Sequence, residues 1–164
     1  MSTPRPVSFA CTATIAATPE ALLAEILDLS RWPEFTGWGP LPGIASARFR
    51  ARRAGEVGTE IAVTNVDGST HVERITRWSP TDGAELTMSD FSRPLSRLAT
   101  HFVETWSFAA IGGETRVTRG FVLHPTGQFA RGALVVIGAM LERAVARHLS
   151  RMALTTSAGA PSPT

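Results

Sequence analysis

The 164-residue chain contains no lysine and no tyrosine, and its only cysteine is Cys11. Without lysine there can be no phosphate-binding lysine of the Walker type, no lysine Schiff base and no anchor for pyridoxal phosphate. A single cysteine excludes an intrachain disulfide and a metal site of clustered cysteines, and it suits a reducing compartment. We therefore expect neither a metal nor a cofactor.

Long apolar runs and a strong charge imbalance are also missing. No window approaches the ~18 apolar residues of a membrane span, and residues 7–17 are too polar and too short for a signal-peptide core. All 16 cationic residues are arginine, and the chain also has 14 acidic residues, so the formal net charge is only +2. That excess is too small to indicate a nucleic-acid partner. We expect a cytoplasmic protein, monomeric or homodimeric, with no transmembrane segment.

The first part of the chain predicts one strand and two short helices within a single domain. Apolar and polar residues alternate from Val7 to Ile15, which is the pattern of a strand with one buried face. Thr18 is a helix N-cap residue followed by a proline, and this predicts a helix that runs to about Leu29. Ser30 is expected to cap a second, shorter helix.

Six further strands are predicted, and three two-residue turns mark hairpins among them: Asp67-Gly68, Asp82-Gly83 and Gly112-Gly113. The first of these turns would pair Val63 with Val72 and place Val72 inside. In that register His71 and Glu73 point to solvent, because neighbouring residues of a strand face opposite sides. A bulge is then needed to bring Ile75 and Trp78 to the core.

The Gly-Gly turn places two charged residues on an apolar face. Its register pairs Trp106 with Arg119 and Glu104 with Phe121, so that Glu104 lies diagonal to Arg119. We expect the two charges to contact each other, because an unpaired charge on such a face is costly. They are either a structural ion pair, with Arg119 stacked on Trp106, or a group that orients a ligand. Asp90 either joins them or is solvated.

One long C-terminal helix is predicted from Phe129 to Leu154. At 100° per residue its apolar stripe contains Leu134, Ile137, Leu141, Val145, His148 and Met152. His148 is either a core or rim residue with satisfied hydrogen bonds or a donor or acid–base group of a cavity. Residues 1–5 are expected to be a tail, and residues 155–164, which are small and polar, a disordered C-terminal tail.

In this order, the segments TPEALLAEILDLSRWPEF, EVGTEI, ERITRWSP, GGETRVT and LERAVARHLSRMA resemble the START-like (SRPBCC, Bet v 1-like) superfamily, and its polyketide cyclase/dehydrase and lipid transport branch in particular. The resemblance covers residues 6–154, which would form one START-like domain. It implies an α+β helix-grip fold, in which a seven-stranded antiparallel sheet curls around a long C-terminal helix. Two short helices would lie between the first and second strands.

The resemblance implies a cavity between sheet and helix that binds a small apolar molecule, such as a lipid or a polyketide. One alternative is an enzyme of the polyketide cyclase/dehydrase type, with Glu104, Arg119 and His148 as catalytic candidates. Another is a partner-binding module of the chaperone-activator type. The expected ligand-binding residues are Trp32, Phe35, Met88, Phe102, Glu104, Trp106, Arg119, Phe121, Ile137, Leu141 and His148.

Overall fold

Seven antiparallel strands form one curled sheet in the computed structural model, which describes residues 2–158. The strands are β1 (Val7–Ile15), β2 (Ile44–Ala51), β3 (Glu60–Asn65), β4 (Thr70–Ser79), β5 (Gly83–Ser89), β6 (Ala99–Ile111) and β7 (Glu114–Pro125). Their order across the sheet is β1-β7-β6-β5-β4-β3-β2, so the first and last strands are neighbours. The helices are α1 (Pro19–Leu27), two short 3₁₀ helices (Leu29–Glu34 and Leu95–Arg97) and α2 (Gln128–Ala158). The predicted α+β helix-grip fold is confirmed.

The two short helices after β1 begin and end at local hydrogen bonds. Thr18 caps α1, since its hydroxyl oxygen accepts a hydrogen bond from the backbone N–H of Ala21 at 3.2 Å. The helix ends at Leu27, earlier than predicted. Asp28 caps the 3₁₀ helix that follows by accepting from the N–H of Ser30 at 3.2 Å, so the predicted cap at Ser30 is wrong by two residues.

The hairpin of β6 and β7 has the register that its Gly-Gly turn predicts. The observed pairs are Phe108 with Val117, Trp106 with Arg119, and Glu104 with Phe121. All these residues except Phe108 are buried, and Phe108 is half-buried. Glu104 and Arg119 therefore lie on the concave face of the sheet, as expected.

The predicted register of β3 and β4 is wrong by one residue. Val63 pairs with His71, not with Val72. The loop has three residues, because the Asp67 carboxylate accepts from the backbone N–H of Ser69 at 2.9 Å and holds Ser69 opposite the end of β3.

This one-residue shift reverses the predicted faces of His71, Val72 and Glu73. Glu73 is 4% exposed and lies inside, next to the half-buried His71, although both were expected in solvent. Ile75 reaches the core without a bulge. The register shift of β4 against β5 lies after Ile75, and it lets Trp78 pack against the core as well.

Helix α2 packs over one side of the sheet only. Its main strand contacts are with β1 and β7, and Leu134, Leu141, Val145 and Met152 of the predicted stripe are buried. The concave face of β4, β5 and β6 is therefore left for other elements to cover.

The end of α2 lies beyond the predicted boundary, because the helix continues through residues 155–158 of the expected tail. The rest of that tail, residues 159–164, lies outside the described residues. Among residues 2–158, no helix is both long enough and apolar enough to cross a membrane.

Candidate functional site

A cavity of about 350 Å³ lies between the concave face of the sheet, α1, the first 3₁₀ helix and the middle of α2. It occupies the part of the sheet that α2 leaves uncovered. All eleven expected ligand-binding side chains line it: Trp32, Phe35, Met88, Phe102, Glu104, Trp106, Arg119, Phe121, Ile137, Leu141 and His148. The expected cavity between sheet and helix is present, whereas no observation tests the role of each residue in binding.

The first 3₁₀ helix brings two aromatic side chains to the cavity. Trp32 is fixed by its indole N–H, which donates to the carbonyl of Ile26 at 3.0 Å. Phe35 contacts His148 edge-on, with 5.9 Å between ring centroids. These contacts tie this part of the cavity wall to α1 and α2.

Three polar side chains form one buried group in the wall, which we call the polar triad: Glu104, Arg119 and His148. Arg119 Nε and Nη2 both donate to Glu104 Oε1, at 2.7 and 2.5 Å, and Arg119 Nη1 lies 2.9 Å from His148 Nδ1. Glu104 is 3% exposed and Arg119 6%. The guanidinium also stacks over Trp106 at 4.2 Å. The structure thus brings together all three catalytic candidates.

The surroundings of Glu104 favour its neutral form over its charged form. Burial raises the pKa of this carboxyl group above its ordinary value, and the nearby Glu73 carboxylate raises it as well. Arg119 and a hydrogen bond from Trp106 act in the other direction. Arg119 is therefore what allows a carboxylate to exist in this wall, and removing its guanidinium would leave Glu104 buried without a counter-charge.

His148 is held in its neutral form. Burial lowers its pKa to about 3, and the positive charges of Arg119, Arg31 and Arg151 act in the same direction. Because Arg119 donates to Nδ1, the neutral ring carries its proton on Nε2. At neutral pH, His148 can donate one hydrogen bond from Nε2, but it cannot act as an imidazolium acid.

Acidification should destabilise the fold through His148. Its pKa is about 3 in the folded protein against 6.5 ordinarily, so between these values the unfolded chain binds a proton that the folded chain does not. Stability is then lost as the pH falls from 6.5, by at most about 1.4 kcal/mol per pH unit. We expect His148→Gln, whose side-chain oxygen can accept from Arg119, to lose less stability than the wild type.

Urea unfolding of both proteins from pH 7 to pH 4 measures this difference. Glu104 acts with the opposite sign, because its raised pKa makes the folded state take up a proton more readily. Its contribution is present in both proteins and largely cancels in the comparison. If the free energy of unfolding changes equally with pH in the wild type and in His148→Gln, His148 is not the group that causes the loss of stability.

A second polar pair in the cavity was missed by the sequence analysis. His71 Nε2 lies 3.1 Å from Glu73 Oε1, and their side chains are 12% and 5% exposed. The His71 ring also lies near Phe91, which in turn contacts Phe102. The pair could have been predicted from Asp67 and Ser69. The hydrogen bond from the Ser69 N–H to the Asp67 carboxylate fixes a three-residue loop, and this loop turns Glu73 inward.

Asp90 does not join the polar triad. It follows the last residue of β5 with a left-handed backbone, and its side chain is 72% exposed, 3.9 Å from Arg50. The solvated alternative is therefore the observed one. Within residues 2–158, no three His, Cys, Asp or Glu side chains are grouped closely enough to hold a metal ion.

A family model described as "Polyketide cyclase / dehydrase and lipid transport" matches residues 6–155 of the chain. That range contains every strand, all of α1, α2 up to residue 155, and all residues of the cavity wall. No curated protein matches the sequence significantly.

Several solved structures share the fold at low identity. The protein TTHA0849 from Thermus thermophilus is 16% identical, with a TM-score of 0.69 over 94% of this chain and 100% of its own. A START superfamily protein from Mycobacterium smegmatis is 13% identical, with a TM-score of 0.58 over 88% and 98%. Major latex-like protein 151 from Panax ginseng is 14% identical, with a TM-score of 0.59 over 88% and 97%. At these identities the likeness establishes the fold and nothing more.

Proposed function

We propose that this chain, which belongs to the polyketide cyclase/dehydrase and lipid transport family of START-like proteins, binds a small, largely apolar molecule in the cavity between sheet and α2. The observation that carries the proposal is the cavity of about 350 Å³, whose largely aromatic and aliphatic wall contains the polar triad and the His71–Glu73 pair. Concave apolar sites with a few fixed polar groups are typical of small-molecule sites.

The polar triad suggests what the ligand carries. Arg119 uses three of its five N–H groups on Glu104 and His148, which leaves one N–H on each terminal nitrogen. The Nε2–H of neutral His148 is a further donor at the cavity wall. A carbonyl or hydroxyl oxygen on an apolar ligand would accept from these donors, and Glu73 offers an acceptor on β4.

Native mass spectrometry of the protein purified from its own host tests the binding proposal. We expect a recurring small-molecule adduct that is displaced by a fatty acid, a sterol or an aromatic polyketide. Displacement distinguishes a bound ligand from an adduct on the surface. A protein that carries no adduct and binds none of the three probes would contradict the proposal.

An enzyme of the cyclase/dehydrase type is the second candidate, and the observation that favours it is the convergence of Glu104, Arg119 and His148. Arg119 would polarise a substrate carbonyl, Glu104 would accept a proton, and the Nε2–H of neutral His148 would hydrogen-bond a substrate oxygen. Catalysis requires that Glu104→Gln still bind a carbonyl-rich substrate but no longer convert it, and that His148→Ala change the pH profile. The cytoplasmic location and the monomeric or homodimeric state stay predictions.

A further inference from the structure

Three separate stretches of the chain meet at the end of the molecule where α2 begins. The Thr126 N–H donates to the carbonyl of Leu98 at 2.9 Å, and the Thr126 hydroxyl donates to the carbonyl of Arg97 at 2.8 Å. Arg131 Nε donates to the carbonyl of Arg5 at 3.1 Å. These contacts hold the start of the chain, the second 3₁₀ helix and the start of α2 together, and we call this region the basic end.

The basic end has positive charge without negative charge. No Asp or Glu occurs in residues 1–19, 91–103 or 120–141, and the contacts that define the basic end lie within these stretches. Its arginines are Arg5, Arg93, Arg97 and Arg131, of which the first three are exposed. Among the described residues, none of the four is ion-paired with a carboxylate. The small net charge of the chain therefore conceals a local excess of cations.

The same end exposes apolar side chains. Phe129, the second residue of α2, is fully exposed at 102%, and Val136, two helical turns later on the same face, is 60% exposed. Val135 beside it is 45% exposed. A fully exposed phenylalanine among unpaired arginines differs from the scattered single apolar residues that are normal on protein surfaces.

The basic end also borders the cavity. Arg93 and Leu95, from the second 3₁₀ helix and the loop before it, line the cavity, and so do Ile137 and Met140 from the next turns of α2. Whatever binds the basic end thus lies next to residues of the cavity wall.

We propose that the basic end docks on an anionic phospholipid surface, with its arginines on lipid phosphates and Phe129 in the interfacial region. Guanidinium groups bind phosphate with two hydrogen bonds, and arginines around an exposed aromatic residue are typical of proteins that lie on membranes. A second copy of the chain fits this face poorly, because its four arginines would meet the same four arginines. The proposal goes beyond ligand binding and does not depend on it.

Vesicle co-sedimentation tests the proposal with the full chain. We expect binding to vesicles of equal parts phosphatidylcholine and phosphatidylglycerol, little binding to phosphatidylcholine alone, and loss of binding in 0.5 M salt, roughly three times physiological ionic strength. Arg5→Gln/Arg97→Gln should weaken binding about 25-fold, at about fivefold per arginine. Phe129→Ala should weaken it roughly tenfold, since a phenylalanine gains only part of its burial free energy at an interface.

Matched variants separate this site from general charge. Arg48→Gln/Arg147→Gln removes the same charge from exposed positions elsewhere, and Val66→Ala removes another exposed apolar side chain; both should bind like the wild type. Equal weakening by these controls, equal binding to neutral vesicles, or no vesicle binding at all would overturn the proposal. So would release by duplex DNA at equal phosphate concentration. A sedimentation mass that falls in Phe129→Ala without vesicles would assign the face to a second copy instead.

Discussion

Replacing Arg119 by leucine is expected to lower the free energy of unfolding by ~3 to 5 kcal/mol, the usual cost of breaking a buried ion pair by removing one partner. The substitution leaves Glu104, which is 3% exposed, in an apolar wall without the guanidinium that makes two of its hydrogen bonds. His148 loses the donor to its Nδ1 at the same time. Denaturant unfolding monitored by circular dichroism measures the loss.

The double variant Glu104→Leu/Arg119→Leu is the control for this prediction. It removes both charges together, so its stability should largely recover, because replacing a buried pair by apolar residues is often neutral. If the double variant is as unstable as Arg119→Leu, the loss comes from packing and not from a stranded charge. If it keeps its stability but loses affinity for the ligand, the pair binds a polar group of the ligand. If it keeps both, the pair is structural.

The Glu104–Arg119 contact was predictable because it depends on local information. The two glycines of the β6–β7 turn, both with left-handed backbones, fix the register of a hairpin, and the register fixes which side chains are diagonal neighbours. Predicting the positions of these two residues requires no information about the rest of the fold. The same reasoning gave the stacking of Arg119 on Trp106 as part of one of its two alternatives, the structural ion pair.

The His71–Glu73 pair was not predicted because one side-chain contact outweighs the turn preference. Asp-Gly favours a two-residue hairpin, but the Asp67 carboxylate bonds the Ser69 N–H and lengthens the loop by one residue. In a strand such a shift reverses inside and outside, so an error of one position moved Glu73 from the cavity wall to solvent in the prediction.

The contact of His148 with Arg119 was predictable only in part. The helical stripe placed His148 toward the sheet, and the hairpin placed Arg119 toward the helix. What the sequence could not supply is how far along the sheet α2 lies, because that depends on packing against β1 and β7. The size of the cavity follows from the same packing, so only its existence was predictable.

Filling the cavity is expected to weaken ligand binding strongly without harming the fold. Met88 lies on β5, paired with Glu73 on one side and Phe102 on the other, and its half-buried side chain lines the cavity. Met88→Trp adds side-chain volume to open space rather than to a packed core. We expect affinity to fall about 50-fold, as when about three buried methylene groups of a ligand lose their contacts at ~0.8 kcal/mol each. Titration calorimetry with the ligand that native mass spectrometry identifies measures the change.

The stability of Met88→Trp decides whether the cavity is open in solution. An open cavity accommodates the indole, so the free energy of unfolding should stay within about 1 kcal/mol of the wild type or rise, whereas a collapsed site would be overpacked at a cost of about 1 to 3 kcal/mol. Val66→Trp, which adds the same ring at a position that is 68% exposed, should leave affinity unchanged. Met88→Ala should enlarge the cavity and shift preference toward bulkier ligands. Full affinity in a stable Met88→Trp variant would place the ligand somewhere other than between the sheet and α2.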